Sequence, residues 1–99
     1  MNMQAIMQQA QKMQKDILKK KEEVAKMTFE GKSELVTVLV NGNKEVISVK
    51  FNHNSDLSND DLEVLEDMTV IAINDALSKV NNETEKAMGP YASSLNGLI

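Results

Sequence analysis

Met3, Ile6, Ala10, Met13, Ile17, Lys20, Val24 and Met27 follow one another at alternating intervals of three and four residues. That spacing aligns them along one seam of an α-helix, the pattern of two helices packed side by side. Lysine interrupts the seam once, at Lys20. Glutamine, lysine and glutamate fill most of the other positions, and no glycine or proline occurs between residues 2 and 27. The pattern predicts a helix over residues 2–27, about 39 Å long at 1.5 Å per residue. A domain drawn from 99 residues is too small to cover such a rod, so part of it is expected to project or to pair with a partner. The competing reading is an ordinary amphipathic helix lying on a sheet.

The rest of the chain reads as three strands and a second helix. Thr28–Lys32 is a short strand, and Leu35–Val40 is rich in β-branched residues and too short for a helix. Asn41-Gly42 follows, the pair favoured where both central residues of a tight hairpin turn need positive φ. In Glu45–Phe51, Ile47, Val49 and Phe51 share one face. Asn52–Asp56 is a polar connector, and Ser58-Asn59-Asp60-Asp61 offers capping residues and first-turn acids to a helix running to Met88. Leu65, Met68, Ile71, Ala72, Ala76, Val80 and Thr84 form its expected buried stripe. Val64, Val70, Ile73 and Leu77 widen that stripe enough to serve a second subunit. Asn74-Asp75 interrupts the apolar run and is expected to be buried at the interface, satisfying backbone or cross-subunit hydrogen bonds, a structural role and not a catalytic one. Gly89-Pro90 stops the helix, and Tyr91–Ile99 is left as a tail. The expected fold is α+β: a single αβββα domain over 1–99, with a helix over 1–27, a three-stranded antiparallel sheet over 28–51, a long helix over 58–88 and a flexible tail over 89–99, assembled as a dimer.

Aromatic residues make up 3% of the chain. The core must be built from smaller aliphatic side chains, and so thin a core is commonly completed by a second subunit. There is no cysteine, which excludes disulfides, thiolate nucleophiles and cysteine-based metal sites. His53 is the only histidine and is expected to be a solvated loop residue, since one histidine beside Asp56 makes no ligand set. The glycines at 31, 42, 89 and 97 form no phosphate-cradling loop. Asp60 and Asp61 are accounted for by a helix N-terminus rather than a cation. No enzyme activity, cofactor, metal or small-molecule substrate is therefore expected. No run approaches the ~18 apolar residues of a membrane span, and the first residues do not read as a signal peptide, so the expected location is cytoplasmic.

The formal net charge of −4 argues against a polyanionic partner until its distribution is considered. Residues 1–50 hold nine lysines against six acids, and residues 51–99 two lysines against nine, giving +3 and −7. Lys12, Lys15, Lys19 and Lys26 recur at intervals of three, four and seven and so share one side of the first helix, with Lys20 and Lys21 beside them. Such a stripe can neutralise phosphates and release their counterions. The competing reading is a solvated face whose lysines pair locally with Asp16, Glu22 and Glu23. The chain has no arginine. Lysine lacks the planar fork that reads guanine, so backbone contact is expected in place of base readout.

Three blocks resemble the bacterial YbaB/EbfC proteins: Met7-Gln8-Gln9-Ala10-Gln11-Lys12-Met13-Gln14; Val36-Thr37-Val38 running to Asn41-Gly42 and on to Val46-Ile47-Ser48-Val49; and Leu65-Glu66-Asp67-Met68 through Ala72-Ile73-Asn74-Asp75-Ala76. Together they span roughly residues 3–88. The resemblance implies an αβββα fold, a homodimer with long helices projecting from a shared core, and double-stranded DNA binding as a nucleoid-associated protein. With the lysine reading, it makes Lys12, Lys15, Lys19, Lys20, Lys21 and Lys26 the candidate DNA contacts. Met3, Ile6, Ala10, Met13, Ile17, Val64, Ile73 and Leu77 are the candidate dimer contacts. The alternative is a dimeric scaffold or adaptor that takes an unidentified protein partner on its methionine-rich first helix.

Overall fold

In a computed structural model, which describes residues 2–52 and 58–91, the element order is α1 (Met3–Ala25), β1 (Thr28–Lys32), β2 (Val36–Asn41), β3 (Val46–Phe51), α2 (Asn59–Met88) and a 3₁₀ turn at Gly89–Tyr91. The sheet is antiparallel, in the order β1-β2-β3. The αβββα, α+β expectation is met. His53 and residues 92–99 lie outside the described residues.

The core is a single layer between the sheet and α2. Val36, Val38 and Val40 alternate inward on the central strand and are fully buried against Leu65, Ala72, Ala76 and Val80 of α2. Small residues bring the two layers together at β1. A Cβ built on Gly31 would stand 2.1 Å from the Ala72 carbonyl oxygen and 2.7 Å from the Ala76 Cβ, so only glycine fits there. Asp75 and Lys79 then engage two backbone groups on the outer edge of β1. The Lys32 amide donates to Asp75 Oδ2 at 3.0 Å, and the Lys79 ammonium donates to the Glu30 carbonyl at 2.6 Å. Asp75 thus satisfies the backbone of its own chain, while Asn74 is exposed.

Three local expectations are corrected. The β2–β3 connection is not a two-residue turn with positive φ at Asn41 and Gly42. The Lys44 amide donates to the Asn41 carbonyl, and Lys44 itself takes the left-handed conformation, φ 66°. Asn41 drives this wider turn, because its side-chain oxygen accepts from the amides of Asn43 and Glu45. A register shift between Leu39 and Val40 accompanies it. Second, Ile71 is 57% exposed rather than part of the buried stripe, which turns instead through Leu65, Ala72, Ala76, Val80 and Met88. Third, Tyr91 does not begin a tail. It ends the 3₁₀ turn that begins at Gly89, whose φ of 46° breaks α2.

α1 lies against the last turns of α2, beyond the sheet. Its last turns hold Val24, the one buried residue of the helix, while residues 3–15 are all exposed. The molecule accordingly measures 71 × 21 × 15 Å with a radius of gyration of 19.3 Å, against about 13 Å for a compact chain of this length. Among the described residues no helix is long and apolar enough to cross a membrane.

Candidate nucleic-acid interface

The projecting part of α1 begins at Asn2, whose side chain accepts from the Gln4 amide at 3.1 Å and caps the helix. Its root is fixed at the other end, where Gly42 packs on it. A Cβ on Gly42 would fall 1.8 Å from the Val24 carbonyl oxygen, and the Gly42 amide donates to the Met27 carbonyl at 3.1 Å. The hairpin therefore grips the base of the helix, and the free half extends about 20 Å beyond.

Lys12, Lys15 and Lys19 are exposed on one side of this rod, and Lys26 continues the row at its C-terminal cap. No local carboxylate forms an ion pair with them among the described residues. Among the described residues the ion pairs are Lys32–Glu30 at 3.1 Å and Lys79–Asp75 at 3.7 Å, and neither involves α1. Asp16, Glu22 and Glu23 share the helix without closing on a lysine. The exposed acids of α2, among them Glu63 and Asp67, lie on that helix's outer face, turned away from the sheet.

Lys20 and Lys21 do not join that row. At 100° per residue they fall on the seam side of α1. Lys20 is half-buried, with its ammonium 5.2 Å from the centroid of the Tyr91 ring. This cation–π contact, worth roughly 0.5–1 kcal/mol, ties α1 to the end of α2. Lys21 is exposed beside the β2–β3 hairpin, where it shares a hollow with Lys44. Sequence reasoning missed Lys44. The only hint was its place after Asn41-Gly42-Asn43 in a turn expected to end sooner.

The surfaces expected to meet a second chain lie in separate places. On α1, Met3 is 75% exposed and Ile6 50%, Ala10 and Met13 are exposed, and Ile17 is half-buried. On α2, Ile73 and Leu77 are half-buried on the flank that overlooks β3, whereas Val64, nine residues before Ile73 and so half a revolution away, emerges on the opposite flank. β3 adds an apolar surface of its own. Val46, Val49 and Phe51 pair with the buried Val40, Val38 and Val36, yet are 49%, 42% and 48% exposed, because α2 does not reach over this strand.

Among the described residues no cluster of acids or histidines is placed to hold a metal. A surface hollow between α1 residues Ile6–Asp16 and Tyr91 is open to solvent, and its lining includes no histidine.

Comparison with known proteins agrees with this geometry. The model of the YbaB/EbfC DNA-binding family matches residues 1–95. A nucleoid-associated protein of Streptococcus uberis is 46% identical over 96% of this chain and 97% of its own length. One from Streptococcus suis is 43% identical over the same shares. A third, from Ligilactobacillus salivarius, is 34% identical over 99% of this chain and 95% of its own length. These names describe DNA-binding and nucleoid-associated proteins rather than enzymes. With a family match across nearly the whole chain and an αβββα architecture beneath it, this protein is a member of the YbaB/EbfC DNA-binding family.

Proposed function

We propose that this protein acts in the bacterial nucleoid as a homodimer that binds double-stranded DNA through lysine–phosphate contacts, with little readout of base sequence. One observation carries the reading: α1 projects from the α/β body with Lys12, Lys15, Lys19 and Lys26 exposed on one side and unpaired with any carboxylate among the described residues. Lysines already paired at home would lose those partners on meeting a phosphate, and among the described residues these have no ion pair to lose. Family membership and the names of the relatives support DNA as the partner.

The absence of arginine sets the mode of contact. Ammonium groups neutralise phosphate as point charges and leave the donors and acceptors of the major groove unread. The open β3 surface and the Ile73–Leu77 flank of α2 support self-association there, with two α1 rods carried outward by the pair. A second reading rests on the seam: Met3, Ile6, Met7 and Met13 present a flexible apolar stripe suited to another protein.

Fluorescence anisotropy with a labelled random-sequence duplex, titrated at several salt concentrations, separates the two. DNA binding predicts an affinity that falls with log salt by about 3.6 per engaged α1, from four lysines at roughly 0.9 each. No binding at low salt would reject the DNA reading in favour of the adaptor. Sedimentation should return about twice the 11.0 kDa chain mass.

A further inference from the structure

Lys44 is the one non-glycine residue with positive φ among the described residues, at 66°. A side chain in this left-handed region crowds its own backbone, and glycine or asparagine is the usual occupant. The turn does not need lysine there. Its hydrogen bonds come from the Asn41 side chain and from backbone groups, and none is made by the Lys44 side chain. A costly backbone conformation that holds an exposed cation points to a use for the cation.

Its surroundings suggest that use. Lys44 and Lys21 both line a hollow of about 220 Å³, between the hairpin tip and the root of α1. Asn43 shares the lining, its side-chain amide without a hydrogen-bond partner among the described residues. Val24, Thr84 and Met88 form part of the lining, and no carboxylate takes part. The nearest acid in sequence, Glu45, accepts from the Asn41 side chain at 3.1 Å. Neither lysine has an ion-pair partner among the described residues. The site is also held rigid: Gly42 packs on the Val24 carbonyl, and Asn41 braces the turn from within.

We infer that Lys21, Asn43 and Lys44 form a second phosphate-binding site, set at the root of α1 and separate from the row on its outer side, and that it holds a backbone phosphate of duplex DNA. Two ammonium groups and an amide supply donors to phosphate oxygens around a rigid, acid-free hollow. The site rests on the DNA reading proposed above and adds to it a contact made by the sheet hairpin.

The test uses the full chain with Lys44→Gly and Lys21→Gln, singly and together. Lys44→Gly removes the charge and also relieves the backbone, so its melting temperature should rise while its duplex affinity falls. A purely structural lysine could not give that opposite pair of changes. Each substitution should lower the salt slope by about 0.9 and the affinity about eightfold at roughly 0.1 M salt. In ¹H–¹⁵N spectra, the Asn43 and Lys44 amides should shift on adding duplex. Full duplex affinity in both variants would reject the site alone. Failure of the unmodified chain to bind duplex at low salt would reject the DNA reading and this site with it. Shifts produced by inorganic phosphate, with duplex affinity unchanged in the variants, would mark a small-anion site and overturn the assignment to DNA.

Discussion

Replacing Lys12, Lys15 and Lys19 together by glutamine isolates the electrostatic contribution of the outer row of α1. Glutamine is nearly as good a helix former as lysine, and none of the three is in an ion pair among the described residues, so the helix has no structural reason to change. Each lost phosphate contact removes about 0.9 from the slope of log affinity against log salt, and three remove about 2.7. Referred to 1 M salt, where this contribution vanishes, the loss at 0.1 M is about 500-fold, or about 3.7 kcal/mol. If both chains of a homodimer lay their rods on one duplex, the change in slope doubles to about 5.4. The assay is anisotropy of a labelled duplex at four or more salt concentrations, with circular dichroism to confirm unchanged helix content. A slope equal to that of the unmodified chain, at equal helicity, would refute the idea that this face of α1 meets phosphate.

Other expectations address the frame that carries α1. Gly31→Ala would drive a methyl group into the Ala72 carbonyl and Ala76, costing about 3 kcal/mol and lowering the melting temperature by roughly 12–24 °C in a thermal scan. Asp61 accepts from the Ser58 amide at 2.8 Å and the Ser58 hydroxyl at 3.0 Å, and these bonds hold its carboxyl below the usual aspartate value. A depressed carboxyl stabilises the fold above its unfolded value, and the contribution disappears as pH falls through the folded one. Amide spectra followed from about pH 6 to about pH 2 should therefore show the start of α2 fraying at the acid end, a step that Asp61→Asn removes. Val49→Lys with Phe51→Lys, on the open face of β3, should leave helix content intact and return the sedimenting species to the mass of one chain. A pair that persists in this variant would place the self-association elsewhere.

Much of this architecture was legible because short-range rules and long-range packing agree. The alternation in β2 is the core itself, and the seam of α1 reads as a rod because nothing interrupts its helix formers. Prediction failed where a local motif was overruled by its neighbours. Asn41-Gly42 has the form of a tight turn, but Gly42 is used for a close approach to α1, so the positive φ moved to Lys44. Ile71 follows Met68 by three residues, yet α2 packs on the sheet along Leu65, Ala72, Ala76 and Val80, and Ile71 stands roughly 100° from its neighbour Ala72 and outside that contact. Helical periodicity placed Lys12, Lys15, Lys19 and Lys26 together. It could not show that Lys20 is engaged by Tyr91, some seventy positions along the chain.

The two borders of the sheet are unequal. β1 has an amide and a carbonyl occupied by Asp75 and Lys79, whereas β3 has no neighbour beyond β2 among the described residues. A sheet with two open borders can add copies without limit, which is how fibres grow. Here the β1 border already has two groups engaged, and the β3 border has no such contact from α2 among the described residues. Two molecules joined across β3 would turn their partly occupied β1 borders outward, where Asp75 and Lys79 would compete with any further strand.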